Sequence, residues 1–283
     1  MSVLNKTGKM LQHDTYVGLR QCIWIYPITV LYILSVCIVF DKKFFSWADL
    51  QTVSEQSPAV GDYLAYLFQG MEIYQINLQN GFQLPAIWMM MFLLFVLSVA
   101  KYPKSDLYGI GQQLLLKSGS RNAWWGAKLI WTVICAVVYY AVCFLTIFIY
   151  LALVHGIKWQ PSNFTVAVIP GLENLSLAES VLWLVVTPIL TMCTIGSLEL
   201  LLSIIVAPVF SVIIIVSMLL AVLYFNFTYL PGGTCILLRS VLTIPYGFKL
   251  SDMVSVLGIE FLLNSSIGCY CFKNLDLHKN REV

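Results

Sequence analysis

The stretch that decides the fold spans residues 198–226 and reads LELLLSIIVAPVFSVIIIVSMLLAVLYFN. It belongs to an apolar run over 181–227, which as one helix would be roughly 70 Å long, while the hydrocarbon core of a membrane is about 30 Å thick. The run must therefore turn back on itself. Pro208 is the strong helix breaker near the middle, because proline lacks an N–H and clashes with the preceding turn. We predict a tight hairpin there, between two membrane-spanning helices.

The composition of the whole chain agrees with a membrane environment. Of 283 residues, 59% are hydrophobic and 11% are charged, and the mean hydropathy is +0.84. Soluble domains have about 45–50% apolar and about 25% charged residues. The chain is therefore expected to be an integral membrane protein. Sixteen Lys and Arg against fourteen Asp and Glu leave a net charge of +2, which argues against a nucleic-acid partner.

Apolar stretches long enough to cross the bilayer occur six times. The predicted spans are approximately 22–40, 84–100, 129–154, 180–206, 208–226 and 253–272. Counted over alternate segments, Lys and Arg are concentrated on the side that holds the N-terminus, the loop 101–128 and the C-terminus, which the positive-inside rule places in the cytoplasm. We predict an all-α membrane protein with six transmembrane helices forming a single domain over 1–283. A cleaved signal peptide is the alternative for the first span, but the apolar run is longer than the apolar region of a signal peptide, which has about 7–15 residues.

Two segments outside the spans have helical patterns. Residues 4–20 mix apolar and charged positions and are expected to form a helix in the cytoplasmic interface, with a frayed tail as the alternative. In the longer external segment 44–83, Ser57 and Pro58 predict a helix start, with Ser57 as the cap. Its apolar stripe is expected to pack on the membrane surface or over the mouth of the protein.

The cytoplasmic loop 101–128 contains a second short helix. Ser105 and Asp106 can cap it, and Gly119 supplies the left-handed position that commonly ends a helix. Its apolar residues, Leu114, Leu115 and Leu116, need a partner. Trp124, Trp125 and Lys128 then mark the interface at which the third span begins. A helix that rests on lipid is the alternative interpretation.

Two carboxylates within the predicted spans are candidate functional groups. Glu199 lies in the fourth span and costs several kcal/mol there unless it faces a cavity, finds a partner or is protonated. Thr191, Thr194 and Ser197 can share its helix face. Glu260 in the sixth span is the second candidate. A structural hydrogen bond to a neighbouring span is the alternative role for Glu199.

Motifs for catalysis or metal binding do not occur. The sequence lacks the G-x-x-x-x-G-K-[ST] loop that holds ATP, the HExxH zinc motif and the GxSxG motif of hydrolases. The histidines, His13, His155 and His278, lie in different segments, and the eight cysteines form no disulfide framework or CxxC pair. We expect no enzyme activity and no cofactor or metal bound by this chain.

Three stretches resemble a known family. Residues 108–129 (YGIGQQLLLKSGSRNAWWGAKL), the hairpin 198–226 and residues 230–240 (LPGGTCILLRS) resemble the membrane subunit of a bacterial ATP-binding cassette (ABC) exporter of the type-2 class. The sequence of these stretches is most similar to permeases of peptide-export and lantibiotic-immunity systems. The resemblance implies a bacterial plasma membrane protein that pairs with a second copy or a related permease.

The resemblance also implies an energy source. ATP and Mg would bind a separate cytoplasmic ATPase dimer, and the loop 101–128 would be the coupling helix that docks on it. The expected coupling residues are Leu114, Leu115, Leu116, Lys117 and Arg121. The expected substrate path is lined by Glu199, Thr191, Thr194, Ser197 and Glu260.

Two other functions are compatible with the sequence. A membrane scaffold or sensor could bind a ligand through the external segment 44–83 and transport nothing. An intramembrane enzyme is the least favoured, because the motifs are missing. The polar stripe around Glu199 favours a transporter over a scaffold, since a transporter needs polar groups that the bundle interior can reach. A peptide, a lipid, a lipid-linked sugar or a drug would suit such a path.

Overall fold

The structure is a computed structural model that describes residues 3–51, 57–74, 82–225, 227 and 229–275. No β-strand occurs in these residues. The helices are α1 (Val3–Gln21), α2 (Ile25–Gln51), α3 (Val60–Phe68), α4 (Ala86–Leu107), α5 (Ile110–Ser118), α6 (Arg121–Val154), α7 (Asn163–Val168), α8 (Leu177–Val181), α9 (Thr187–Ile205), α10 (Pro208–Phe225) and α11 (Leu250–Asn274).

Long apolar helices dominate this arrangement, as the sequence predicted. Five are long and apolar enough to cross a membrane: α4, α6, α10, α11 and the continuous helix Leu177–Ile205, in which a π-helical turn joins α8 to α9. The pair α1 and α2 gives a sixth if it is counted as one span, with a bend of 58° at the break. The chain is an all-α membrane protein.

The hairpin at Pro208 is confirmed. Helix α9 ends at Ile205, Val206 is extended with φ −114° and ψ 179°, and α10 begins at Pro208. Lys104 of α4 donates a hydrogen bond from Nζ to the Val206 carbonyl oxygen at 3.2 Å. A carbonyl at the helix end, which has no partner inside the helix, is satisfied in this way.

Helix α9 is the centre of the bundle and packs against α4, α6, α10 and α11. Of the 18 most apolar consecutive residues in each helix, 61% are buried in α4 and in Leu177–Ile205. Only 28% are buried in α10 and 11% in α11. Helices α10 and α11 therefore present most of their apolar surface outward. A large apolar surface of this kind faces lipid or a partner helix.

Helix α3 differs from its prediction in both start and position. It begins at Val60 rather than at Ser57 and Pro58, because Asp62 accepts hydrogen bonds from the backbone N–H groups of Ala59 and Ser162, each at 2.8 Å. Burial raises the pKa of Asp62, although hydrogen bonds to the carboxylate oppose the shift.

The apolar stripe of α3 is buried inside the bundle. It packs against α2, α4 and α6, and Tyr63 and Leu64 are almost fully buried. The alternative of a helix on the membrane surface was wrong, because three long helices cover most apolar positions of α3, although Tyr66 stays partly exposed. The alternative of a helix over the mouth of the protein stays a prediction. Within the segment 44–83, residues 52–56 and 75–81 lie outside the described residues.

The start of α5 also differs from its prediction. Ser105 and Asp106 do not cap it, because α4 continues through Pro103 to Leu107 and Gly109 is the N-cap of α5. The Asp106 carboxylate is used in an ion pair instead. A side chain at Gly111 would collide with that carboxylate, so glycine is required there. Gly119 ends α5 with φ +62°, as predicted.

Candidate functional site

A buried lysine joins three helices at the base of α5. Lys128 of α6 has no exposed surface, and its Nζ lies 2.5 Å from Asp14 Oδ1 of α1 and 2.6 Å from Asp106 Oδ2 of α4. The sequence suggested only an interfacial role for this lysine. A buried ammonium needs such partners, because removing a charge from water costs several kcal/mol.

Neighbouring side chains complete this arrangement. Tyr102 donates a hydrogen bond from its hydroxyl to Asp14 Oδ1 at 2.7 Å, and His13 Nε2 lies 3.3 Å from Asp106 Oδ1. The ammonium also lies 4.3 Å from the centre of the Tyr102 ring. We call the group His13, Asp14, Tyr102, Asp106 and Lys128 the Lys128 cluster. It fixes α1, α4 and α6 to one another.

The same cluster has the geometry of a possible metal site. Ligand atoms of His13, Asp14 and Asp106 lie within 4.8 Å of one another. The Lys128 ammonium, however, is bonded to both carboxylates. A divalent cation would have to share those carboxylates with a positive charge at hydrogen-bonding distance, so the donor set suits the lysine rather than a metal. We therefore interpret the cluster as a structural ion pair that holds helices together, and not as a metal site.

Helix α5 divides the three leucines predicted to contact an ATPase. Leu115 is 4% exposed and packs in a small core with Met10, Trp124 and Leu200. Leu116 is 73% exposed, and Ile110 at the other end of α5 is 58% exposed. Leu115 therefore fastens α5 to its own chain, whereas Leu116 and Ile110 are available to a partner.

Arg121 and Lys117 differ in the same way. Arg121 donates hydrogen bonds from Nη1 to the carbonyl oxygens of Phe272, Lys273 and Leu275 at 3.1, 2.6 and 2.9 Å. It therefore joins the start of α6 to the end of α11. Lys117 is exposed beside the N-terminal part of α1.

Two members of the predicted polar stripe of α9, Thr194 and Ser197, lie against α11. Thr194 donates a hydrogen bond to the Leu257 carbonyl at 3.3 Å, and Asn264 donates one from Nδ2 to Ser197 Oγ at 3.2 Å. Thr191 donates to the carbonyl of Thr187, within its own helix, at 2.9 Å. These hydroxyls are buried between helices of one chain.

Glu199 contacts the neighbouring arm of the hairpin rather than the stripe. Ser211 of α10 donates a hydrogen bond from its hydroxyl to Glu199 Oε1 at 2.5 Å. Glu199 has no exposed surface, and its Oε2 has no hydrogen-bond partner among the described residues. One oxygen thus joins α9 to α10, and the other remains unsatisfied.

Glu260 lies on α11, the least buried of the five long apolar helices. The residue is half-buried on α11, and Oε2 has no hydrogen-bond partner within the described part of the chain. No hydrogen bond among the described residues connects Glu260 with Glu199. A carboxylate in this position needs water, a proton or a partner outside this chain.

Two further polar groups lie far from these sites in the sequence and were not predicted. Asp41 of α2 accepts hydrogen bonds from the hydroxyls of Tyr63 and Tyr150, and His155 Nε2 lies 3.0 Å from its Oδ2. Arg239 is buried and donates to four backbone carbonyls, including those of Val222 and Leu223 near the end of α10. Both groups join segments far apart in the chain.

The missed residues gave only weak signals in the sequence. Lys128 directly precedes an apolar run and was expected at the interface, Asp14 lies in the mixed segment 4–20, and Asp106 was expected to cap a helix. The position of Lys128, between two tryptophans and a long apolar run, was the one sequence feature that could have indicated a buried lysine. The partners became apparent only when the helices were packed.

Comparison with known proteins gives no relative on which to base a function. No family model matches the chain, and no curated protein or solved structure matches it.

Proposed function

We propose that this protein is the membrane permease subunit of an ATP-driven ABC exporter, coupled through the loop 101–128 to a separate ATPase subunit. The observation that carries the proposal is the construction of α5. Its apolar residues Leu116 and Ile110 are exposed, while Leu115 and the Lys128 cluster hold its base to α1, α4 and α6. A helix that receives force from a partner needs both an exposed docking face and a rigid attachment.

The proposed topology has six spans and cytoplasmic termini. The bent pair α1 and α2 supplies the sixth crossing, with α1 at the cytoplasmic side. Lys6 of α1 donates a hydrogen bond to the Ser118 carbonyl at the end of α5 at 2.7 Å. Helices α1 and α5 therefore share one end of the bundle, in agreement with the distribution of Lys and Arg.

The proposed substrate path requires a second permease copy or a related permease. Helices α10 and α11 expose most of their apolar surface, and Glu260 on α11 has an oxygen with no hydrogen-bond partner among the described residues. A second subunit against these helices would place Glu260 beside an interface, with Glu199, Thr191, Thr194 and Ser197 one layer behind. ATP and Mg would bind the partner ATPase of a bacterial plasma membrane complex.

A pocket supports a second candidate function, ligand sensing. A cavity of about 120 Å³ lies between α2, α3 and α7, where Phe40, Tyr66 and Phe164 form aromatic walls and Lys43 supplies a positive charge. It includes part of the segment 44–83. Because Asp62 also lines the cavity, a small ligand with an apolar body and a polar group would fit better than a simple anion. A sensor without transport would need no ATPase.

The decisive test is the substitution Leu116→Asp. Leu116 is exposed, so the permease should still fold, whereas an ATPase groove would have to bury an unpaired carboxylate at a cost of several kcal/mol. We expect the variant to purify from its native membrane without the P-loop ATPase that accompanies the wild-type chain. The ATPase is identified by the sequence of its phosphate-binding loop and by ATP hydrolysis of the purified complex.

Leu177→Asp is the matched control, because Leu177 is 66% exposed at the start of α8 and lies outside the loop. It should retain the ATPase. Leu115→Asp is the structural control and should destabilise the permease itself, since Leu115 belongs to the core. If Leu116→Asp retains a full complement of ATPase, or if the wild type carries none, the proposed docking role is wrong.

A further inference from the structure

A basic groove lies between the first turns of α1 and the end of α5. Its volume is about 330 Å³, and its walls are formed by Lys6, Lys9, Met10, Leu114, Lys117 and Ser118. This volume is within the range of about 300–1,000 Å³ that is usual for small-molecule sites. The floor is apolar, from Met10 and Leu114, and the rim carries three ammonium groups, with no carboxylate among the described residues that line it.

No described residue neutralises the charges of the groove. None of the ion pairs found in the described residues includes Lys6, Lys9 or Lys117. Lys6 uses one proton in its hydrogen bond to Ser118, while Lys9 and Lys117 are exposed. Three cations around one cavity repel one another, so an anion bound between them would be stabilised.

The groove also lies on the polar side of the apolar run of α6, where lipid headgroups are expected. Met10 packs in one small core with Ala123 and Trp124, so the groove lies beside the first turns of α6. The apolar run of α6 begins only at Leu129.

We propose that this groove binds an anionic phospholipid, with its phosphate between Lys9 and Lys117 and the start of an acyl chain on Met10 and Leu114. A phospholipid suits both halves of the lining, because the same molecule carries a negative headgroup and an apolar tail. An acidic segment of a protein partner would match the lysines but would leave the apolar floor without a matching group. The proposal is independent of what the protein transports.

The test compares lipid binding by the full chain and a double variant. The wild-type protein, purified in neutral detergent, is titrated with phosphatidylglycerol or phosphatidylcholine, and bound lipid is counted by native mass spectrometry. Phosphatidylglycerol should bind preferentially. Lys9→Gln with Lys117→Gln should weaken its binding by roughly 25-fold, about fivefold for each lysine near a membrane surface. Lys6 is left unchanged because its hydrogen bond holds α1 to α5.

The matched control is Lys42→Gln with Lys249→Gln, which removes two exposed lysines outside the groove. It should bind phosphatidylglycerol like the wild type, and Lys9→Arg with Lys117→Arg should do so as well. Equal weakening in the control, or unchanged binding in the groove variant, would overturn the proposal. So would glycerol 3-phosphate competing as well as the lipid, because this soluble anion lacks an acyl chain, or an acidic peptide that displaces the lipid completely.

Discussion

The Lys128 cluster and the carboxylates of α9 and α11 show two ways of placing charge inside one bundle. In the cluster, one cation lies between two carboxylates, with distances of 2.5 and 2.6 Å. Glu199 has a single serine as its partner, and Glu260 has an oxygen with none within the described residues. The carboxylates of the cluster therefore share a cation, whereas Glu199 and Glu260 form no ion pair with any described residue.

This difference separates an attachment from a candidate interface. Every helix that contributes to the Lys128 cluster is held by a bond that would cost much to break. The polar contacts of α9 with α10 and α11 are weaker, because hydrogen bonds between membrane helices average about 0.6 kcal/mol. Under the proposed function, the first region transmits movement from α5 and the second region adjusts to it.

The largest expected effect comes from Lys128→Met. It leaves two buried carboxylates without a cation, so the free energy of unfolding should fall by about 3–5 kcal/mol. Unfolding is measured in mixed micelles by tryptophan fluorescence. Lys101→Met, at an exposed position of α4, is the control and should change little. Adding Asp14→Asn and Asp106→Asn to Lys128→Met should recover part of the loss. If both lysine variants lower the unfolding free energy by the same small amount, the cluster does not hold α1, α4 and α6 together.

An intermediate effect is expected at Glu199. Glu199→Leu removes the hydrogen bond to Ser211 and should lower the free energy of unfolding by about 0.6–2 kcal/mol. Glu199→Gln keeps an acceptor and should be close to the wild type in stability. If Glu199 also serves the substrate path, Gln should reduce substrate-stimulated ATP hydrolysis of the purified complex.

The partner variant Ser211→Ala sharpens the result at Glu199. A double-mutant cycle of Ser211→Ala with Glu199→Leu measures the coupling between the two side chains. Strict additivity would mean that the hydrogen bond contributes nothing. Normal ATP hydrolysis and transport in both Glu199 variants would remove this residue from the path.

The smallest effect on the single chain is expected at Glu260. Glu260→Gln removes a charge that has no partner in the described residues, so the unfolding free energy should change by less than about 0.5 kcal/mol. The fraction of paired permeases, measured by cross-linking in the membrane, should change more if α11 lies at a subunit interface. Glu173→Gln, an exposed site, should affect neither quantity. A large loss of monomer stability would mean that Glu260 is bound within its own chain.

The sequence alone predicted the elements whose cause is local. Apolar length determines a span, so the long helices were predicted within a few residues at most ends. The exceptions are polar extensions of helices: α2 and α4 continue past the predicted ends at 40 and 100, and α6 begins before 129. A proline within an overlong apolar run gave the hairpin at Pro208, and glycine in a left-handed conformation ended α5 at Gly119. Each of these follows from the physics of one helix and needs no knowledge of its neighbours.

Only the tertiary structure decided which polar groups meet. Lys128 joins residues 114 and 22 positions away, and Asp41 joins α2 to the end of α6. The same packing buried α3 and divided Leu115 from Leu116, although the pattern treated the three leucines alike. Apolar periodicity shows that a face will be covered but not by what, because hydrophobic burial is non-directional. Hydrogen bonds and ion pairs are directional, so their partners are fixed only when the helices are in place.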